Sequence, residues 1–318
     1  MRSQAAARPP MIESVDTLGM VHRISRRPSP EELIERGFRS APGTIPCSTT
    51  WFHRGSRANY TPRLFFYELW GGGFGLRADV SLPKFIYGNN INLPNTFELR
   101  EALERISHWI TTEIRIGFDA FTASTCRIDY ATNYETVRKN TVAFFDRYQR
   151  FWIPRLKFRP DLSHATSAYY GNASRMIRMY DKLFQERGPD ESSETNSASD
   201  TSLIRLEYML ASEPSVVNFA KRLGFPDTKV QTMISDKSRK AAITEMSRLL
   251  KLETFDPEAD FSFSYFLKQT KNISRAQRLS SFVSAFQILG PNFHRRATAR
   301  MSEATYVRQL RECQRYGF

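Results

Sequence analysis

Cysteine is nearly missing from this chain, with three residues in 318, at Cys47, Cys126 and Cys313. Their odd number and wide spacing exclude a disulfide framework and a cysteine-based zinc site, and predict reduced thiols in a cytoplasmic compartment. Histidine is as sparse. His22, His53, His108, His164 and His294 never fall at H-x-H or H-x-x-x-H spacing, so no histidine-pair metal motif is present. The sequence also lacks a long apolar run and a signal-peptide pattern, and no membrane partner is expected. The glycine run Gly71-Gly72-Gly73 is not followed by the lysine and serine of a phosphate loop, and a strand rather than a helix comes next. It predicts a hairpin turn.

What the chain has in excess is positive charge. Lysine and arginine number 46 against 33 aspartates and glutamates, a formal net charge of +13. A polyanionic partner is implied, and with no membrane signal nucleic acid is the class that fits. The arginines are spread along the chain, so a basic surface has to be assembled by folding. A content of 41% hydrophobic and 13% aromatic residues is ample for a core.

Residues 1–12 are short, basic and proline-bearing, and read as a disordered tail. Ser14 to Ile24 reads as a strand, Pro30 to Arg36 as a short helix, and Leu64 to Trp70 and Leu76 to Leu82 as strands around the glycine run. A helix is predicted from Asn95 or Thr96, carrying Leu99, Leu103, Ile106, Ile110 and Ile114 at helical spacing. Tyr134 to Trp152 has amphipathic-helix spacing. Residues 186–202 are acidic and serine-rich and read as a solvated loop. After residue 211 strand signals give way to successive helices, Val230 to Leu252, Phe261 to Lys271 and Ser274 to Leu289 among them. The resulting class is α+β, a mainly antiparallel sheet with packed helices over 13–211 and a helical region over 212–318.

Three strand-like segments carry the candidate chemistry. In Tyr169 to Lys182 (YYGNASRMIRMYDK), Gly171-Asn172 marks a hairpin turn, and the strand after it carries Arg178, Tyr180 and Lys182 at every second position. Alternation puts those three on one face, a phenol between two cations. An unperturbed phenol, with a pKa of about 10, attacks poorly; cations favour the phenolate and hold a phosphate beside it. Cys126 to Tyr130 sets Arg127 and Asp129 opposite Cys126, Ile128 and Tyr130. Ile204 to Tyr208 repeats that design, with Arg205 and Glu207 opposite Ile204, Leu206 and Tyr208. In one sheet these strands would gather a tyrosine, a lysine and two carboxylates, and hard carboxylate oxygens suit Mg²⁺ or Mn²⁺.

The ordered set RIDY, YYG with YDK, and RLEY resembles the replication initiators of filamentous phages and related plasmids, the gene II/X family of rolling-circle Rep proteins. Leu76 to Ile91 (LRADVSLPKFIYGNNI) resembles that family's strand followed by K-F-x-x-G-x-N, although some members place a histidine where this chain has Asn89. Ser302 to Phe318 is similar to the family's C-terminal helix. The resemblance covers most of the chain from about Met11. It implies a ferredoxin-like or RRM-like sheet, an origin-specific single-strand endonuclease and strand transferase, and a host helicase and polymerase as partners.

On that reading Tyr180 attacks the origin phosphodiester and Lys182 assists it. Asp129 and Glu207 hold Mg²⁺ or Mn²⁺, with Asn89 and Asn90 as candidates for the metal's surroundings, and Arg127, Arg178 and Arg205 position the DNA backbone. Tyr169 and Tyr170 are competing tyrosines; Tyr130 and Tyr208 fall on apolar strand faces and read as core. Residues 293–318 resemble a helix-turn-helix in which Thr305, Tyr306, Arg308, Gln309 and Arg311 face a groove or phosphates. Two alternatives stay open: a non-catalytic DNA-binding regulator on the same scaffold, and a relaxase or transposase of a mobile element.

Overall fold

A computed structural model of the protein describes residues 13–40, 51–53, 60–69, 72–149, 151, 153, 155–187, 201–252, 269–289 and 302–315. The 1–12 tail, most of the acidic loop, most of the helix expected at Phe261 to Lys271, and 290–301 lie outside them. The fold is α+β, built on a large antiparallel sheet with several helices. The strands are β1 (Ser14–Ile24), β2 (Arg39–Ser40), β3 (Trp51–His53), β4 (Arg63–Glu68), β5 (Phe74–Ser81), β6 (Ser124–Val137), β7 (Lys157–Phe158), β8 (Ser167–Gly171), β9 (Arg175–Asp181) and β10 (Thr201–Leu210). The helices are α1 (Pro30–Glu35), α2 (Leu82–Tyr87), α3 (Thr96–Thr112), α4 (Arg138–Tyr148), α5 (Lys182–Arg187), α6 (Glu213–Arg222), α7 (Val230–Met233), α8 (Asp236–Leu250), α9 (Ile273–Leu289) and α10 (Glu303–Gln314).

The chain divides into two compact units, and the divisions fall inside β6, β9, β10 and α8 and at the end of β8. The first unit takes in Met1–Tyr134, Asn172–Arg178 and Arg205–Thr244. Its strands follow the order β2-β3-β4-β5-β1-β6-β10-β9. In the β4–β5 hairpin Gly72 and Gly73 stand at φ 90 and 89, a left-handed backbone that only glycine adopts cheaply. Leu18 and Met20 of β1 and Leu76, Ala78 and Val80 of β5 are buried. In α3, Asn95 caps the first turn by accepting from Phe97 and Glu98 N–H, and the stripe Leu99, Ala102, Leu103, Ile106, Ile110 is buried. Tyr130 and Tyr208 are fully buried; the Tyr130 hydroxyl donates to the Met233 carbonyl at 2.9 Å and meets Ser238 Oγ at 2.6 Å, tying β6 to α7 and α8.

The second unit takes in Glu135–Gly171, Met179–Ile204 and Glu245–Phe318, with strand order β6-β10-β9-β8-β7. The Tyr170 hydroxyl donates to the Tyr148 carbonyl at 2.5 Å and to that of Phe151, and Tyr148 in turn donates to the Leu250 carbonyl at 2.8 Å. Phe282 of α9 and Tyr306 of α10 pack with their rings tilted at 52° and centroids 5.8 Å apart.

Three expectations shift. The strand begun by RIDY runs on to Val137, so the helix read from Tyr134 begins only at Arg138; aromatic and β-branched Tyr134, Thr136 and Val137 favour extended backbone. The strand expected over Leu76 to Leu82 ends at Ser81, and Leu82–Tyr87 is a short helix that Gly88 ends at φ 74. Lys182 is not in the strand. β9 stops at Asp181, whose carboxylate accepts from Phe184 N–H at 3.1 Å and so starts α5.

Arg205, in the first unit, is buried with no side-chain exposure. Nε donates to Asn133 Oδ1 at 2.9 Å, Nη1 to Asp16 Oδ1 and Asn90 Oδ1 at 3.0 Å each, and Nη2 to the Ile91 carbonyl at 2.6 Å. A buried ion pair broken from one side leaves an uncompensated charge. Arg205→Ala is therefore expected to lower unfolding free energy by about 3–5 kcal/mol in urea titrations; a loss below about 1 kcal/mol would mean the carboxylate finds water or another partner.

Candidate functional site

The site is built from one local device. An arginine and an aspartate two positions apart on a strand share a face, and their side chains are matched in reach for two parallel hydrogen bonds. Arg77 donates to Asp79 through Nε at 2.8 Å and Nη2 at 3.0 Å. Arg127 does the same to Asp129 at 3.1 and 2.7 Å. These two pairs lie on β5 and β6, which flank β1. Gly19 of β1 stands opposite both Asp79 and Arg127 in register, and a Cβ there would come within 2.8 Å of Asp79 Oδ1 and 3.1 Å of Arg127 Cβ. The missing side chain is what lets the two pairs approach across the intervening strand.

A third arginine extends the row. Arg178 Nη1 of β9 lies 3.4 Å from Glu207 Oε2 and 3.8 Å from Asp129 Oδ2, so one guanidinium stands between the two expected metal ligands. Its other nitrogens donate to the thioethers of Met176 at 3.4 Å and Met209 at 3.3 Å, which are weak acceptors. In every pair the acid is sunk and the base is outermost: side-chain exposure is 35% for Arg77 over 11% for Asp79, 26% for Arg127 over 1% for Asp129, and 28% for Arg178 over 3% for Glu207. The face thus offers oriented guanidinium N–H groups above carboxylates that neutralise them, the arrangement with which proteins fix arginines for phosphate recognition.

Burial pushes the Asp129 carboxyl above its ordinary range, opposed by the hydrogen bonds and charge of Arg127 and by Arg178, and reinforced by the nearby Asp16 carboxylate. The Arg127 guanidinium is held more firmly charged by its hydrogen bonds to Asp129. Burial raises the Cys126 thiol to about 11, which makes it inert beside the row.

The residues expected from sequence are brought together in part. Arg127, Asp129, Arg178 and Glu207 form one cluster in the first unit. Arg205 does not join it: it is buried, its nitrogens are taken by Asp16, Asn90, Asn133 and Ile91, and here it clamps the loop after α2 rather than facing solvent for DNA. Asn89, exposed, closes its own turn by accepting from Ile91 N–H at 3.1 Å. Tyr180 and Lys182 belong to the second unit. Tyr180 is 8% exposed, and Lys182 Nζ lies 5.6 Å from its ring centroid while donating to Glu186 at 2.6 Å and Gln185 at 3.1 Å. Arg77, Asp79 and Gly19 were not singled out from the sequence, although the R-x-D repeat was visible in it.

No protein-family model matches the chain, and no curated protein matches it. Among the described residues, no three His, Cys, Asp or Glu side chains are grouped to hold a metal ion. Asp129 and Glu207 supply donors of the right hardness for Mg²⁺ or Mn²⁺, but the place of their shared cation is taken by Arg178.

A second basic feature lies wholly in the second unit. Arg275, Arg308, Arg311 and Arg315 line a cavity of about 930 Å³ along α9 and α10, with Glu312 the one acid among its described lining residues. Glu312 is engaged by Arg275 and, at 3.4 Å, by Arg278. Arg308, Arg311 and Arg315 are exposed on one face of α10, three and four residues apart. Tyr306, expected to face a groove, is instead 5% exposed against Phe282, because its ring fills the contact between α9 and α10.

Two outcomes follow. Arg178→Met is expected to open the Asp129–Glu207 pair to a cation and raise Mn²⁺ affinity severalfold, read by electron paramagnetic resonance titration; unchanged affinity would show that Arg178 does not compete with metal. Tyr130→Phe and Tyr170→Phe, which orphan buried acceptors, should each cost about 1–3 kcal/mol in denaturant unfolding.

Proposed function

We propose that the chain is a rolling-circle replication initiator that nicks and rejoins one DNA strand through a phosphotyrosine, built on a ferredoxin-like or RRM-like Rep core and acting in a bacterial host's cytoplasm. What supports this most is the guanidinium row of Arg77, Arg127 and Arg178 above buried carboxylates, a face made for phosphodiesters. The resemblance of the RIDY, YDK and RLEY segments supplies the chemistry, and the arginine-lined groove of α9 and α10, with Arg308 and Arg311, supports DNA as the polyanion.

In this reading the Tyr180 phenol oxygen attacks phosphorus, a new O–P bond forms, and the P–O3′ bond breaks. The phenol gives up its proton and the departing 3′-oxygen gains one. One phosphodiester replaces another, so the step is nearly isoenergetic and reversible, and no nucleotide is consumed. Lys182, whose ammonium lies 5.6 Å from the Tyr180 ring centroid, assists by stabilising the charge that develops in the transfer. Asp129 and Glu207 would hold Mg²⁺ or Mn²⁺ once Arg178 yields its place, and the ion when bound would polarise the scissile phosphate. Arg127 and Arg178 orient the DNA backbone.

A second reading, a non-catalytic DNA-binding regulator, is favoured by one observation: Asp129 and Glu207 are already engaged by arginines. Incubation with supercoiled origin DNA separates the two, using denaturing gels that preserve protein–DNA adducts. The wild type with Mg²⁺ or Mn²⁺ should leave a relaxed circle carrying a 5′ adduct, and EDTA or Tyr180→Phe should abolish it. Nicking by Tyr180→Phe would sink the assignment of the nucleophile; binding without nicking in either metal would establish the regulator. Arg308→Ala should weaken binding across sequences and lower the salt slope by about 1.

A further inference from the structure

On the first unit, the loop before β4 and the helices α2 and α3 enclose a cavity of about 670 Å³ that shares no residue with the guanidinium row. Its lining is unusual for a surface depression. Tyr60, Phe85 and Trp109 supply three aromatic rings, and Lys84 and Arg105 supply positive charge beside the His108 imidazole, against one acid, Glu104. The rings are half-buried and the three basic side chains are exposed.

The aromatic walls are held in place from behind. The Tyr60 hydroxyl accepts from Ser81 N–H at 2.8 Å, which ties the loop to the end of β5. Trp109 packs edge-on against His53 of β3, with ring centroids 6.1 Å apart. The Arg105 guanidinium already lies over the Phe85 ring, 5.0 Å from its centroid, forming a cation–π pair at the rim. Gly88, where α2 ends, leaves open space, with no atom within 4 Å of where a Cβ would stand.

We infer that this cavity binds an unstacked base of single-stranded DNA together with its adjoining phosphate. Rigid aromatic faces flanked by exposed cations are the combination that single-strand binders use: the rings accept any base by stacking, and the cations follow the backbone. A fully aliphatic pocket would take an apolar ligand, and a purely basic patch would take duplex phosphates; here the two chemistries meet in one depression. The choice of DNA rests on the proposed function. The cavity gives that function a place for strand flanking the nick, separate from the groups assigned to chemistry.

The test measures binding rather than cutting, on full-length protein carrying Tyr180→Phe so that the probe stays whole. Fluorescence anisotropy with a labelled twelve-nucleotide oligo(dT) and an abasic oligonucleotide of equal length should show the abasic probe bound about tenfold more weakly. Trp109→Ala should cost oligo(dT) a similar factor and leave abasic binding nearly unchanged, whereas Trp109→Phe should restore most of it. Arg105→Glu and Lys84→Glu, at exposed positions that spare the fold, should weaken both probes and flatten the salt dependence. Equal binding of both probes, or native oligo(dT) affinity in Arg105→Glu, Lys84→Glu and a Trp109→Ala protein with native circular dichroism, would overturn the inference. If these variants lose oligo(dT) while wild-type protein never nicks origin DNA, the cavity stands and the nicking reading falls.

Discussion

A guanidinium taken out of water must find a partner for nearly every N–H, and Arg205 finds four, a carboxylate, two amides and a carbonyl, drawn from β1, β6 and the loop after α2. That requirement organises the first unit. Asp16 is available because β1 breaks register between Val15 and Thr17, which gives the chain an extra residue there. Asn90 and Ile91 are available because Gly88 ends α2 after six residues. Both irregularities would be defects in an isolated sheet, and both serve one buried charge.

The same strands show how one methylene changes a partnership. Arg77-x-Asp79 and Arg127-x-Asp129 close on themselves, and so, on the surface of the second unit, does Arg159-x-Asp161 at 3.0 and 2.8 Å. Arg205-x-Glu207 has the same spacing with a longer acid, and its members turn to different partners, Asp16 and Arg178. The segment that looked like a repetition of the RIDY design therefore supplies one internal clamp and one acid for the guanidinium row.

Much of the fold could be read from local pattern. Ser14–Ile24, α1, the hairpin around the glycine run and α3 from its Asn95 cap follow from alternation, capping and turn chemistry, which act within a few residues. The ends of two strands escaped reading. The extension of β6 past Tyr134 and the end of β9 at Asp181 are settled by neighbours in the sheet and by a carboxylate that prefers a helix N-terminus. Within the site, alternation correctly placed Arg127 with Asp129, but it could not reveal that Arg205 is buried, since strand patterning says which face a side chain takes and not what covers that face. Gly19 is legible only in retrospect: a glycine inside a strand signals that something approaches closely, and register identifies it as Asp79 and Arg127.

The strand order gives the row a direction. Arg77, Arg127 and Arg178 sit on β5, β6 and β9, which in the order β5-β1-β6-β10-β9 are every second strand. Neighbouring strands lie about 4.8 Å apart, so Arg77 and Arg127 are separated by roughly 9.6 Å across the strands and, standing opposite Val21 and Gly19 of β1, by two residues along them. A chain held by all three must run across the strands and cannot lie parallel to any one of them. The row is thus a ruler laid crosswise over the sheet, graduated chiefly by the spacing of the strands that carry it.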